Sequence, residues 1–120
     1  MSGFPRALCR LEEVPDGGAK GFDLGPDYEP LGIFLLRQGR EIFAYVNSCP
    51  HLGTPLEMID DQFVNEDGYI LCATHGALFQ PNEGVCISGP CMGEYLSRAK
   101  IRLEEDGRIL LVSLPFSSQF

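Results

Sequence analysis

Two short clusters, each with one cysteine and one histidine, are the residues of this chain that could do chemistry together. Cys49 precedes His51 by two positions, Cys72 precedes His75 by three, and the 120 residues contain only these two histidines. Thiolate sulfur and imidazole nitrogen both bind zinc and iron. Glycine and proline beside the clusters are typical of turns, where two nearby side chains can reach one site. The pattern therefore suggests a metal centre.

The residues around both clusters resemble the two boxes that hold the iron-sulfur cluster in Rieske proteins. Those boxes read Cys-x-His and Cys-x-x-His, and here they are CPHLG at 49–53 and CATHGALF at 72–79. A third segment, GVCISGP at 84–90, looks like the Gly-x-x-x-x-Gly-Pro turn that follows the second box and closes over the cluster. Elsewhere the resemblance rests on a pattern of short strands, as in small Rieske ferredoxins.

The resemblance implies one 2Fe-2S cluster held by Cys49, His51, Cys72 and His75. The two cysteines would ligate the inner iron, and the two histidines the outer, more exposed iron. Replacing two thiolates by imidazoles removes negative charge and raises the reduction potential to roughly −150 to +300 mV. The expected activity is one-electron transfer, and no catalytic residues are predicted in the chain.

A structural zinc site is the main alternative, because two cysteines and two histidines also form a tetrahedral zinc set. Zinc fingers usually pair cysteine with cysteine and histidine with histidine, whereas each box here mixes the two types. A cysteine-histidine nucleophile pair is another interpretation. The chain has two such pairs and no other polar candidates beside them, so nucleophilic catalysis is poorly supported.

Differences from respiratory Rieske subunits favour a ferredoxin. Those subunits carry a disulfide beside the cluster, where this chain has Thr54 and Thr74. They also place a serine and a tyrosine near the cluster, at the positions of Ala77 and Phe79 here. Without these two hydroxyl donors the reduced, more negative cluster is less stabilised. The potential is therefore expected in the lower part of the Rieske range.

Three further cysteines, Cys9, Cys86 and Cys91, have no matching histidine. Cysteine often behaves as a small apolar residue, so Cys9 and Cys86 are predicted to be packed thiols. Cys86 and Cys91 flank a Gly-Pro turn, which makes a disulfide between them conceivable but unsupported by the sequence. An odd number of cysteines and the lack of a signal peptide favour a reducing cytoplasm instead.

The acidic composition indicates which partners to expect. A formal net charge of −8 and a pI near 4.6 argue against nucleic acid and anionic membranes. The longest apolar run, 31–36, is too short to cross a bilayer. By the resemblance, a flavoprotein reductase would supply electrons, and a terminal oxygenase or other redox protein would accept them. A small accessory subunit of an oxidoreductase complex and a non-redox zinc-binding module remain the alternatives.

Strand signals dominate the chain, so the predicted fold is all-β and forms one domain over 1–120. The predicted strands are 7–11, 19–24, 31–37, 41–47, 69–72, 77–79, 98–104 and 108–114. The third and fourth are predicted to form one hairpin and the last two another, and 25–30 is predicted to be a loop. The resemblance implies a Rieske-like base, an antiparallel β-sandwich or barrel from strands within about 1–46 and 92–114. A cluster-binding subdomain would be inserted at about 47–91.

The segment between the two boxes is the least regular part of the sequence. Thr54 and Pro55 could open one helical turn, with the proline at the first helical position. Four of the acidic residues that follow are interpreted as solvated loop charges, with a docking face near the cluster as the alternative. These residues are Asp60, Asp61, Glu66 and Asp67.

Overall fold

A computed structural model describes residues 5–23, 32–48, 63–72 and 76–114. Within these ranges the chain forms nine strands and one 3₁₀ turn, Leu11–Glu13. The strands are β1 Arg6–Arg10, β2 Ala19–Asp23, β3 Gly32–Gln38, β4 Glu41–Val46, β5 Ile70–Cys72, β6 Ala77–Phe79, β7 Cys86–Ser88, β8 Lys100–Leu103 and β9 Arg108–Ser113. The prediction of an all-β fold is confirmed.

Each of the eight predicted strands has a counterpart with similar bounds, and β7 is an additional strand. It has three residues and directly precedes the Gly89-Pro90 turn, so no alternation of apolar and polar residues marks it. The predicted hairpin at 31–47 is confirmed, since β3 and β4 pair antiparallel up to Gln38 and Glu41. The 54–57 turn and the 25–30 loop lie outside the described residues.

Three antiparallel sheets of three strands make up the described structure. Their strand orders are β1-β9-β8, β2-β3-β4 and β5-β6-β7. The middle sheet, β2-β3-β4, contributes residues to both hydrophobic clusters of the core. One cluster lies against the β1-β9-β8 sheet, and the other contains buried residues of the β5-β6-β7 sheet. The middle sheet is therefore covered on both faces.

The sequence of β3 explains how one sheet can serve two cores. Four consecutive residues, 33–36, are all buried. Successive strand residues point to opposite faces. Ile33 and Leu35 join the cluster that includes β9, whereas Phe34 and Leu36 join the cluster that includes β5 and β6. A strand buried on both faces thus has an unbroken apolar run in place of alternation.

The first two sheets are also connected along one edge. Val46 donates a backbone hydrogen bond to Ser97 (2.8 Å), and Ala99 donates one to Ala44 (3.0 Å). The segment that leads into β8 therefore pairs with β4 before it joins the β1-β9-β8 sheet. This edge pairing partly closes the base, in agreement with the predicted sandwich or barrel. In the part of the chain described, no helix has the length and apolar character to span a membrane.

Candidate metal centre

The second predicted box forms the end of a tight hairpin. Strands β5 and β6 pair through Ile70 with Phe79, Leu71 with Leu78 and Cys72 with Ala77. Cys72 is the last residue of β5, and its side chain is fully buried. The sulfur of Cys72 therefore belongs to the protein interior, at the place where the hairpin reverses.

The turn after Cys72 is held closed by its own backbone. The Gly76 N–H donates to the Cys72 carbonyl at 2.8 Å, and Gly76 has a φ of 72°. This left-handed conformation suits glycine, which has no Cβ to clash. His75 immediately precedes Gly76 in the sequence, and residues 73–75 lie outside the described part. Of the four predicted ligands, the structure describes Cys72; Cys49, His51 and His75 fall outside it.

The first box follows directly from β4. After Val46, the Asn47 N–H donates to the Gly32 carbonyl at 2.8 Å, and the Ser48 N–H donates to Val46 at 2.9 Å. These bonds fix the chain up to the residue before Cys49. The middle sheet thus determines where the first box begins, as the hairpin of β5 and β6 determines where the second begins.

The third box packs on the second through a glycine. A Cβ placed on Gly89 would lie 2.8 Å from the Ala77 Cα and 3.0 Å from the Ala77 Cβ. Gly89 also has a φ of 111°, a conformation that side chains of L-residues rarely adopt. Because Ala77 is the strand partner of Cys72, this contact places the third box against the turn region of the second.

A tyrosine and an arginine hold the loop between β6 and β7, and neither is predicted from the sequence to have this role. The buried Tyr45 hydroxyl donates to the Pro81 carbonyl at 2.7 Å and accepts a hydrogen bond from Arg98 Nη2 at 3.2 Å. Arg98 also donates to the Asn82 carbonyl and lies 5.5 Å from the centre of the Tyr45 ring. Burial raises the pKa of Tyr45, and the Arg98 hydrogen bond and charge oppose that rise. Nothing local in the sequence marks this pair, since its members lie far apart along the chain.

We expect Tyr45→Phe to destabilise the protein by about 1–2 kcal/mol, because the Pro81 carbonyl and Arg98 each lose a hydrogen-bond partner. The phenyl ring keeps its packing, so the change reports on the hydroxyl. Urea unfolding followed by circular dichroism measures it. Tyr95→Phe is the matched control. Tyr95 is 63% exposed, so removing its hydroxyl should change the free energy of unfolding by less than about 0.5 kcal/mol. Equal effects of the two substitutions would contradict the role given to Tyr45.

The end of the connection between the boxes is anchored beside β5. The Leu71 N–H donates to the Phe63 carbonyl at 2.8 Å, and the Phe63 ring stacks on Phe34 with centroids 4.3 Å apart. Glu66 and Asp67 are exposed at the intervening turn, as predicted for solvated charges. Asp60 and Asp61 lie outside the described residues.

Cys9 and Cys86 are packed as predicted, and Cys91 is buried as well. Cys86 is 2% exposed and Cys91 1% exposed, in the same hydrophobic cluster as Cys72. Cys9 is partly buried against the other cluster. Burial is also the main reason that the pKa of Cys9 is raised.

Cys72, the predicted ligand within the described residues, has an environment compatible with a cluster of the Rieske type. A buried thiol at the end of β5 is suited to the inner iron, because burial removes the sulfur from competing water. The chemistry of the complete predicted set, two thiols and two imidazoles, matches what such a cluster requires. The close contact of Gly89 with Ala77 adds a loop that covers this region.

Comparison with known proteins agrees with the prediction of a Rieske-type site. Residues 5–110 match the family model of the Rieske [2Fe-2S] domain. The 3-phenylpropionate/cinnamic acid dioxygenase ferredoxin subunit of Photorhabdus laumondii is 29% identical over 83 residues, which cover 69% of this chain and 71% of that protein.

Two solved structures share the fold. The ferredoxin of carbazole 1,9a-dioxygenase from Nocardioides aromaticivorans IC177 has a TM-score of 0.70 at 22% identity, covering 91% of this chain and 97% of its own. A chain in the complex of reduced oxygenase and oxidized ferredoxin in carbazole 1,9a-dioxygenase has a TM-score of 0.67 at 19% identity, covering 90% of this chain and 93% of its own. From its matched residues, its fold and its site, this chain belongs to the Rieske [2Fe-2S] domain family, whose cofactor is a two-iron, two-sulfur cluster.

Proposed function

We propose that this protein is a one-electron carrier, a Rieske ferredoxin that takes electrons from a reductase and delivers them to an oxygenase or another oxidoreductase. The observation that carries the proposal is the buried Cys72 at the end of β5, three positions before His75 in the sequence. Its strand partner Ala77 is in close contact with Gly89 of the third box. A cluster bound there supplies reversible one-electron reduction at a potential set by its mixed ligands.

The proposed ligands divide the cluster between an inner and an outer side. Cys49 and Cys72 would hold the inner iron, and His51 and His75 the outer one. The burial of Cys72 supports the inner assignment, because its sulfur is fully enclosed by the protein. The histidine rings on the outer iron would shorten the path to a partner protein. A single domain over 1–120, with the cluster-binding part at about 47–91, is the accompanying proposal.

The proposed partners are a flavoprotein reductase and a terminal oxygenase. A relative named as a dioxygenase ferredoxin subunit and a structural relative from a complex with an oxygenase support this choice. The net charge of −8 favours partners with basic docking surfaces. The chain itself is not proposed as the oxygenase, because its only two histidines are both assigned to the cluster. The cytoplasm is the proposed location, where reductants and such partners meet.

Electron paramagnetic resonance of the reduced protein tests the proposal. Anaerobically purified protein, reduced with dithionite, is expected to show a rhombic signal with an average g below the free-electron value, and about two irons per chain. Voltammetry should place the midpoint in the lower part of the Rieske range, well below about +200 mV. One zinc per chain with no signal would overturn the proposal, and a stable complex with a larger subunit on gel filtration would favour the accessory-subunit role.

A further inference from the structure

Two buried cysteines that the proposed cluster does not use lie in direct contact. The Sγ atoms of Cys86 and Cys91 are 3.1 Å apart, with the Cys91 thiol donating to the Cys86 sulfur. The Cys86 thiol in turn donates to the Ser88 carbonyl at 3.3 Å. A disulfide bond is about 2.05 Å long, so closing it requires each sulfur to move on the order of 0.5 Å.

The backbone already holds the two cysteines in one small loop. The Cys86 N–H donates to the Glu94 carbonyl at 2.7 Å, and the Gly93 N–H donates to the Cys86 carbonyl at 2.9 Å. The Glu94 N–H also donates to the Cys91 carbonyl at 2.9 Å. These bonds close the neck of the loop next to both cysteines, so a cross-link there needs little backbone movement.

We propose that Cys86 and Cys91 are a redox modification site, which small disulfides oxidise to an intramolecular disulfide that locks the third box. In the first step one cysteine thiolate attacks the external disulfide, forms a mixed disulfide and releases one thiol. In the second step the other cysteine attacks the mixed disulfide, closes the Cys86–Cys91 bond and releases the second thiol. Two protein thiols lose their hydrogens, and both electrons reduce the external disulfide to two thiols.

The surroundings of the pair set the rate of this reaction. Both sulfurs are almost fully buried, and buried thiols react slowly until the structure opens locally. The turn that covers them is exposed, including Met92 at 66%. The reaction therefore waits on local opening around this surface turn. Once one cysteine has reacted, the other lies next to it, so the mixed disulfide resolves quickly.

The consequence concerns the loop of the third box, which packs on the hairpin that carries Cys72. The loop contains Gly89, which packs on Ala77, the strand partner of Cys72. Cross-linking a closed loop of about six residues removes chain entropy from its open state, enough to slow its opening on the order of tenfold. Release of iron to a chelator should slow by a similar factor. This second effect rests on the proposed function, whereas formation of the disulfide does not.

Mass spectrometry of the holoprotein tests the modification. The reduced protein is incubated anaerobically with hydroxyethyl disulfide, quenched with N-ethylmaleimide in denaturant and cleaved after glutamate. Cleavage at Glu83 and Glu94 gives a peptide that contains Cys86 and Cys91 but no other cysteine. We expect this peptide to lose about 2 Da and to resist alkylation. A peptide that stays fully alkylated, or keeps one hydroxyethylthio adduct without resolving, would overturn the proposal.

Serine variants and iron release complete the test. Cys86→Ser and Cys91→Ser should each stop at the mixed disulfide, whereas Cys9→Ser should form the 84–94 disulfide as the parent does. Iron release is followed with a ferrous chelator and compared between the protein with the Cys86–Cys91 disulfide and the protein with both thiols free of the cross-link. Oxidation without any slowing of release would show that the bond does not lock the loop. If the disulfide forms in a protein with no Rieske signal, the modification stands and the proposed function fails.

Discussion

Cys72→Ser should reduce the iron content from about two per chain to a small fraction of one and abolish the signal of the reduced cluster. Serine is close in size to cysteine, but its hydroxyl is a poor ligand for iron at neutral pH and cannot replace the thiolate. The inner iron would lose one of its two protein ligands, and the fully buried position offers no substitute from solvent. Iron analysis and electron paramagnetic resonance of protein purified without air measure the result.

Cys86→Ser is the matched control for that substitution. Cys86 has the same side chain, is also buried and belongs to the same hydrophobic cluster, but it lies in β7 and is not a proposed ligand. It should keep about two irons per chain. Full cluster content in Cys72→Ser would refute the ligand assignment. An equal loss in both variants would mean that a damaged core, and not a lost ligand, explains the result.

Gly89→Ala should destabilise the protein by about 2–4 kcal/mol, through a strained backbone and a steric clash together. The new Cβ would lie 2.8 Å from the Ala77 Cα, a backbone atom that cannot move without shifting β6. The third box would have to withdraw from the hairpin that carries Cys72. We therefore expect an apparent melting temperature lower on the order of 10 °C and faster release of iron to a chelator.

Gly93→Ala separates the clash from the strain in that experiment. Gly93 has a φ of 91° and lies in the same loop, yet a Cβ there would meet no atom within 4 Å. The Gly93→Ala substitution should lower the free energy of unfolding only through backbone strain, by about 1–2 kcal/mol, with little change in iron release. Scanning calorimetry at one heating rate compares the two variants. If both variants lost the same thermal stability, the packing of Gly89 on Ala77 would contribute nothing to holding the third box.

Much of the fold is predictable from local pattern. Apolar and β-branched residues between turn signals predict the hairpin of β3 and β4 and that of β8 and β9, and both are present. Strand β7 escapes prediction because it lies inside the segment 84–90, which resembles the Gly-x-x-x-x-Gly-Pro turn of the third box and is interpreted as a turn. The sequence also cannot tell which face of β3 meets which core, since residues 33–36 are all apolar and all buried.

The candidate site divides in the same way. The spacing of Cys49 from His51 and of Cys72 from His75 is a local property, so the sequence alone predicts a metal and, by resemblance, its type. The burial of Cys72 depends on the hairpin and on the sheet beneath it, and the structure was needed to find it. From the sequence, a disulfide between Cys86 and Cys91 is conceivable but unsupported, whereas the structure places their sulfurs in contact.

The sequence by itself determined the types and spacing of the proposed ligands, the all-β class and the acidic composition, because each depends on residues close together in the chain or on composition. The tertiary structure alone decided which distant residues hold the boxes in place. Arg98 meets Tyr45 although 53 positions separate them, and Gly89 meets Ala77 through a strand pairing that has an irregular register. Contacts of this kind depend on how the sheets stack and where a loop returns. They leave no periodic or local signal in the sequence, because only the folded chain brings their members together.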